Sequence, residues 1–271
     1  MSDTNSTHSL PLAGRHAMVG GSTQGIGRAC AEALASVGAS VTLLGRNPEG
    51  LAVVQAALAR PAGNAQVHRS VNVDFSDWHA VQKAADEHVR AHGPVHIVVH
   101  NTGGPAAGFA IDAAPEAFSK AFEMHLLTGQ ALVQACAPGM RDAGYGRIIN
   151  ITSTSVLVPI RGLGVSNTIR AAVANWARTL AGELGRFGIT VNTVLPGFTR
   201  TARLEALFKG KASRAGTTVD AIERDAIAQI PAGRLGDPEE IAAAVAFLAS
   251  PAASYINGVN LPVDGGRSAA Q

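Results

Sequence analysis

"GGSTQGIGRACAEAL", residues 20–34, decides the fold. It follows a short apolar run, "RHAMVGG" (15–21), and turns at once into a helical pattern. Gly21, Gly25 and Gly27 follow a G-x-x-x-G-x-G spacing. Glycine opens backbone conformations closed to other residues and leaves room for close approach. The helix that follows turns its unpaired N–H groups and the positive end of its dipole toward an anion. A tight strand-to-helix turn that binds nothing has the same letters. The strand before it, the helix after it and the frame around it favour a cradle for a dinucleotide pyrophosphate. Ser22 and Ile26 lie in the same turn and are assigned to the cradle.

That frame is an alternation. Apolar runs at 15–21, 40–46, 66–74, 96–101, 146–152, 189–197 and 257–266 read as strands. Helix-period stretches lie near 25–37, 48–60, 76–92, 115–143, 165–187 and 237–249. Such a rhythm predicts βαβ units and an α/β fold: a Rossmann-type doubly wound parallel sheet of about seven strands, with helices on both faces. Residues 12–271 form one domain, preceded by a polar tail at 1–11 that reads as disordered and as neither a signal peptide nor an anchor. The segment 199–232 exceeds a normal connection and reads as a substrate loop or lid.

The second strand ends "LLGRNPEG" with no acid at its tip to grip a ribose diol. Arg46 stands there instead, placed to meet a 2′-phosphate, so NADP is favoured and NAD remains possible. Composition agrees with a small-molecule enzyme or binder. The 271 residues are 46% hydrophobic but only 4% aromatic, which suits close helix-on-sheet packing. Net charge is +2, with no dense basic run, which argues against a nucleic-acid partner. No apolar run reaches the roughly 18 residues of a membrane helix. Two cysteines, Cys30 and Cys136, form no disulfide framework and read as small core residues of a cytoplasmic protein.

Further motifs fall in order: Asp74 in "VNVDFSD", "HNTGG" at 100–104, "NITSTS" at 150–155, "NTVLPGFTRT" at 192–201 and "INGVNLPVDGG" at 256–266. In spacing and order the chain resembles the short-chain dehydrogenase/reductase family over residues 12–266. The resemblance implies that Asp74 contacts the adenine, and that Asn101 and Gly103 support the sheet beside the cofactor. Pro196 and Gly197 would close over the nicotinamide, and Thr199 and Thr201 would meet its carboxamide and the phosphates. It also implies a homo-oligomer, a tetramer or dimer, built on the helices near 115–143 and 165–187.

The family's catalytic group is a serine, a Tyr-x-x-x-Lys on the next helix and an asparagine from the preceding one. Ser153 matches the serine. Ser166 stands at the tyrosine place, Arg170 at the lysine place, and His125 at the asparagine place, thirteen before the Pro138 that commonly ends that helix. Chains with this replacement are found in the family's "NTGGP" branch. Serine is a far weaker acid than tyrosine, and arginine cannot shuttle a proton. His125 is therefore a candidate donor, acting through Ser166 or a water to a carbonyl held by Ser153. The resemblance implies an NADP(H)-dependent oxidoreductase acting on a carbonyl or secondary alcohol, with a 3-oxoacyl thioester among the candidates. The missing pair leaves open a catalytically silent NADP-binding regulatory or scaffold protein.

Three other features have plainer readings. His88, His92, His96 and His100 are spaced by four, but "GP" at 93–94 breaks the helix, so no metal site is expected and His88 and His92 read as a solvated helix face. Tyr145 and Tyr255 read as structural. Arg200, Arg203, Lys209, Lys211 and Arg214 form either a solvated face of the lid or an attractor for an anionic substrate.

Overall fold

The computed structural model describes residues 10–61 and 65–270. Most of the predicted tail therefore lies outside the described residues. Leu12, just beyond it, is already fully buried in the core. Seven strands form one sheet: β1 (His16–Gly20), β2 (Ser40–Gly45), β3 (Arg69–Asn72), β4 (Ile97–His100), β5 (Gly146–Ile151), β6 (Ile189–Pro196) and β7 (Asn260–Val263). All pairings are parallel, in the order β3-β2-β1-β4-β5-β6-β7. The order reverses between β1 and β4, and that is where a doubly wound sheet opens a crevice at its carboxyl edge.

Central strands β1, β4, β5 and β6 are buried along their length, which is why they read as near-continuous apolar runs. Against one face pack α1 (Gly25–Ser36), α2 (Pro48–Ala57) and α9 (Pro238–Ala249), around Leu34, Leu43, Val245 and Leu248. Against the other pack α3 (Trp78–His92), α5 (Thr128–Asp142) and α6 (Gly164–Leu184), around Val81, Leu132, Met140 and Leu180. α4 (Pro115–Phe122) leans on α6 through Ala121, Val165 and Ile169. The segment predicted as a lid holds two helices, α7 (Ala202–Ala215) and α8 (Val219–Ala228), with a small core around Leu204, Phe208 and Ile230.

Three expectations need correction. The predicted third strand, 66–74, pairs only over Arg69–Asn72. Side chains take over the ladder before it: the amide of Val41 donates to His68 Nδ1 (3.2 Å) and that of Val67 to Ser40 Oγ (3.0 Å). The predicted helix 115–143 is interrupted by a π-turn, Glu123–Leu127, and Pro138 lies inside α5 instead of ending it. His88 is no solvated residue. It is 5% exposed, and its Nε2 lies 3.0 Å from Thr42 Oγ1 and 3.4 Å from His16 Nε2. Period alone placed it on a polar face, but the neighbouring strands supply polar partners beneath the helix.

Candidate active site

The glycine turn occupies the crevice between β1 and β4. Gly21 and Gly25 have φ of +57° and +54°, which only glycine adopts without strain. A Cβ on Gly27 would overlap the carbonyl oxygen of Gly21 and lie 2.7 Å from Asn101 Nδ2. At its start α1 has no side-chain cap and no acidic residue in its first turn. Its N–H groups and dipole are thus left for an anion, and the turn fits a pyrophosphate. Ile26 lies in this first turn, half-buried. Ser22 is spent within the protein: its hydroxyl donates to Leu44 O at 3.1 Å, tying the turn to β2. Asn101 Nδ2 donates to Gly20 O at 3.1 Å and fixes β1 against the end of β4. The space around Gly103 is open.

At the tip of β2 the exposed Arg46 guanidinium faces the Asp74 carboxylate at 3.8 Å. Two residues predicted to meet the adenosine end of a dinucleotide thus meet each other across the β2/β3 edge. Pro196 ends β6, and Gly197 donates to Val263 O at 3.0 Å, so the two last strands close together behind it. Thr201 caps α7 by accepting from Leu204 N (3.2 Å), and its methyl group would lie 3.3 Å from a Cβ on Gly25. Thr199 is buried, its hydroxyl donating to Gly197 O at 3.2 Å. The sixth-strand motif therefore reaches across to the glycine turn.

Ser153 follows β5 and heads a short 3-10 turn, accepting from Ser155 N at 3.1 Å. The proton of its own hydroxyl has no partner in the turn and is free to donate. Ser166 lies in the first turn of α6, half-buried. Arg170, one turn on, is buried and donates from Nη1 to Ile151 O at 2.7 Å. Burial and the nearby Arg203 lower it to about 10, so it stays cationic at neutral pH. Its Nε is buried with no protein partner.

His125 sits on the π-turn between α4 and α5, a break in helical geometry that recurs at functional sites. It is 1% exposed, and its Nε2 has no protein partner. Burial first, then Arg170 and His100, push it down to about 2. It is a neutral imidazole over the whole physiological range. Behind it, His100 bridges Asn150 Oδ1 (3.3 Å) and Thr128 Oγ1 (3.2 Å), also held neutral by burial. Sequence reasoning missed this buried network, and with it Thr102, whose hydroxyl lies 2.5 Å from His125 Nδ1. The only available signal was a histidine opening "HNTGG", which looks like any strand residue until β5 and α5 are packed beside it.

Of the lid cations, Arg203 reaches the "HNTGGP" loop and donates to Pro105 O at 2.5 Å. Arg200 pairs with Asp237 at 3.2 Å. A cleft of about 530 Å³ runs between the 158–161 loop, which follows the Ser153 turn, and the two lid helices. Tyr145 donates to Ala249 O at 2.5 Å, and Tyr255 is fully exposed, so neither enters the site. Cys30 and Cys136 are free, buried core residues.

Residues 21–268 match the family model described as "Enoyl-(Acyl carrier protein) reductase". The chain is 35% identical over 254 residues to the short-chain reductase protein NovJ of Streptomyces niveus, covering 93% of each chain. It is 36% identical to the 3-oxoacyl-[acyl-carrier-protein] reductase FabG of Vibrio cholerae, over 95% of this chain and 98% of that one. Among solved structures, L-sorbose reductase from Gluconobacter frateurii, complexed with NADPH and L-sorbose, superimposes with a TM-score of 0.87 at 28% identity, over 96% and 98% of the two chains. With its reversed-order parallel sheet, its glycine turn and this breadth of similarity, the chain belongs to the short-chain dehydrogenase/reductase family.

Proposed function

We propose that this protein is an NADP(H)-dependent oxidoreductase that interconverts a carbonyl compound and its secondary alcohol, with 3-oxoacyl thioesters among the candidate substrates. NADP is the cofactor. The observation that carries the reading is the meeting of three features at one sheet edge: the uncapped glycine turn, Arg46 at the β2 tip, and Ser153 with an undirected hydroxyl. The NADPH-bound L-sorbose reductase and the 3-oxoacyl reductase of Vibrio cholerae support it.

Bound NADPH supplies a hydride, so that carbonyl, NADPH and a proton yield alcohol and NADP⁺. The chain has to hold the carbonyl oxygen and deliver that proton. Ser153 donates its hydroxyl hydrogen to the oxygen and polarises the bond. Ser166 fixes a water in the room where a tyrosine ring would stand. Arg170 holds positive charge beneath the site, its guanidinium fixed by donation to Ile151 O. His125 works as a neutral relay whose tautomer is set by Thr102, and does not act as a charged acid. Positioning supplies much of the rate in such a site. Absence of a matched general acid costs about 10²–10⁴.

NADPH consumption across ketones, aldehydes and 3-oxoacyl thioesters, run beside calorimetric titration with NADPH, tests the reading. Consumption with any of them supports it. NADPH binding without consumption across the panel assigns the chain instead to the silent regulatory or scaffold role that Ser166 and Arg170 also fit. The protein is further proposed to work in the cytoplasm as a homo-oligomer, a tetramer or dimer. Its free cysteines and the exposed apolar side chains of Phe247, Tyr255 and Val259 near the β7 edge support this. Light scattering on the purified protein gives the oligomeric state.

A further inference from the structure

The cleft between the 158–161 loop and the lid has an unusual lining. Its lining is mixed: Val158, Ile160 and Ile222 are apolar, and Arg161, Lys211 and Arg267 are cationic. Arg267, in the last 3-10 turn, is 7% exposed, and its guanidinium stacks on Phe198 with Cζ 4.6 Å from the ring centroid. Only Gln229 Oε1 accepts from it, at 3.3 Å, and its Nε is buried with no partner. Lys211 of α7 stands over the same ring, Nζ 6.0 Å from the centroid. Among the described residues neither cation has a carboxylate within ion-pair distance, whereas Arg200 pairs with Asp237 at 3.2 Å. Asp225 is the one acid of the lining, and it is exposed.

Two cations held over one aromatic ring in the same cleft cost desolvation and mutual repulsion, which the Asp264 carboxylate offsets only in part at Arg267. Burial and Arg267 together lower Lys211, as that repulsion requires. An anion arriving on an apolar stem would offset both terms. We propose that Arg267 and Lys211 form a carboxylate subsite, and that the substrate is an oxo acid or hydroxy acid whose carboxylate they bind while its apolar chain lies along Val158 and Ile160 toward Ser153. This specificity rests on the oxidoreductase reading above, and its test separates the two.

The test compares levulinate with methyl levulinate, with NADPH saturating, and titrates hexanoate and hexanol by calorimetry. The native chain should favour the acid over the ester by about tenfold or more in kcat/KM, and should bind hexanoate in preference to hexanol. Arg267→Gln and Lys211→Met should each bring both preferences toward unity. Asp225→Asn should strengthen hexanoate binding severalfold, a gain that a folding defect cannot imitate. Hexanoate binding lost in both variants, without turnover of any carbonyl, keeps the subsite and removes the oxidoreductase reading. Turnover of acid and ester at equal efficiency, or hexanoate affinity unchanged by all three substitutions, overturns the subsite and leaves that reading standing.

Discussion

His125 Nδ1 and the Thr102 hydroxyl lie 2.5 Å apart, sealed from solvent, and join the π-turn of the helical layer to the end of β4. A neutral imidazole carries one donor and one acceptor, so Thr102 at one nitrogen sets what the other offers to the crevice. With His125 down at about 2, the pH profile of kcat/KM should show no inflection from this residue between pH 5 and 8. A profile with an acid limb near neutrality that vanishes in His125→Asn would contradict the neutral relay. Thr102→Val should lower turnover with little effect on the dissociation constant of NADPH measured by calorimetry.

Replacing Ser166 by tyrosine and Arg170 by lysine together should raise kcat/KM on a carbonyl substrate by about 10²–10⁴, the worth of a matched general acid. Steady-state kinetics of Ser166→Tyr, Arg170→Lys and the double variant check this. The single Ser166→Tyr should gain less, because lysine is what lowers the tyrosine's pKa. Ser153→Ala should cost about 10²–10³ in kcat.

Arg46 is exposed and held only by Asp74 at 3.8 Å, a weak pair in water. Its charge is therefore available to a 2′-phosphate. Arg46→Ala should weaken NADPH by about tenfold or more while changing NADH little, read as a shift in the ratio of their dissociation constants. An equal loss for both cofactors would assign Arg46 a structural role.

Gly27→Ala should abolish NADPH binding and lower the melting temperature, since the new methyl meets the Gly21 carbonyl and Asn101 Nδ2, both fixed. Gly182→Ala, on the exposed side of α6, serves as its control, because no atom lies within 4 Å of a Cβ there. Differential scanning calorimetry with and without NADPH distinguishes the two.

The protein should lose stability in mild acid from the far end of its sheet. His16 Nε2 lies 2.8 Å from Thr42 Oγ1, and His88 shares the same hydroxyl. Burial foremost lowers His16 and His88 to about 4 from 6.5, with repulsion from His88, Arg69 and His96 added at His16 and from His92 and Arg69 at His88. The unfolded chain therefore takes up protons that the folded one refuses. Their contribution is complete above about pH 6.5 and disappears as pH falls toward 4. Melting temperature against pH should drop through that window, and His88→Gln should make the drop shallower.

The succession of strands and helices, the glycine turn and the order of motifs were all legible in the sequence, because each is local. Period, glycine spacing and run length act over a few residues, and a parallel sheet buried on both faces writes its strands as apolar runs. The expected placement of Ser166 and Arg170 at the family's tyrosine and lysine positions rests likewise on a local feature, the spacing from Ser153. Only the tertiary structure decided which polar side chains were left without partners. The strand order β3-β2-β1-β4-β5-β6-β7 brings His125 against Thr102, turns His88 of α3 in against Thr42, and lays Arg267, near the C-terminus, across Phe198. The residues of these contacts are separated by up to 69 positions, as 267 − 198, and no local pattern carries them. Desolvation, which makes His125 neutral and lowers Lys211 and Arg267, depends on packing from several elements at once, so it comes into being only when the chain closes on itself.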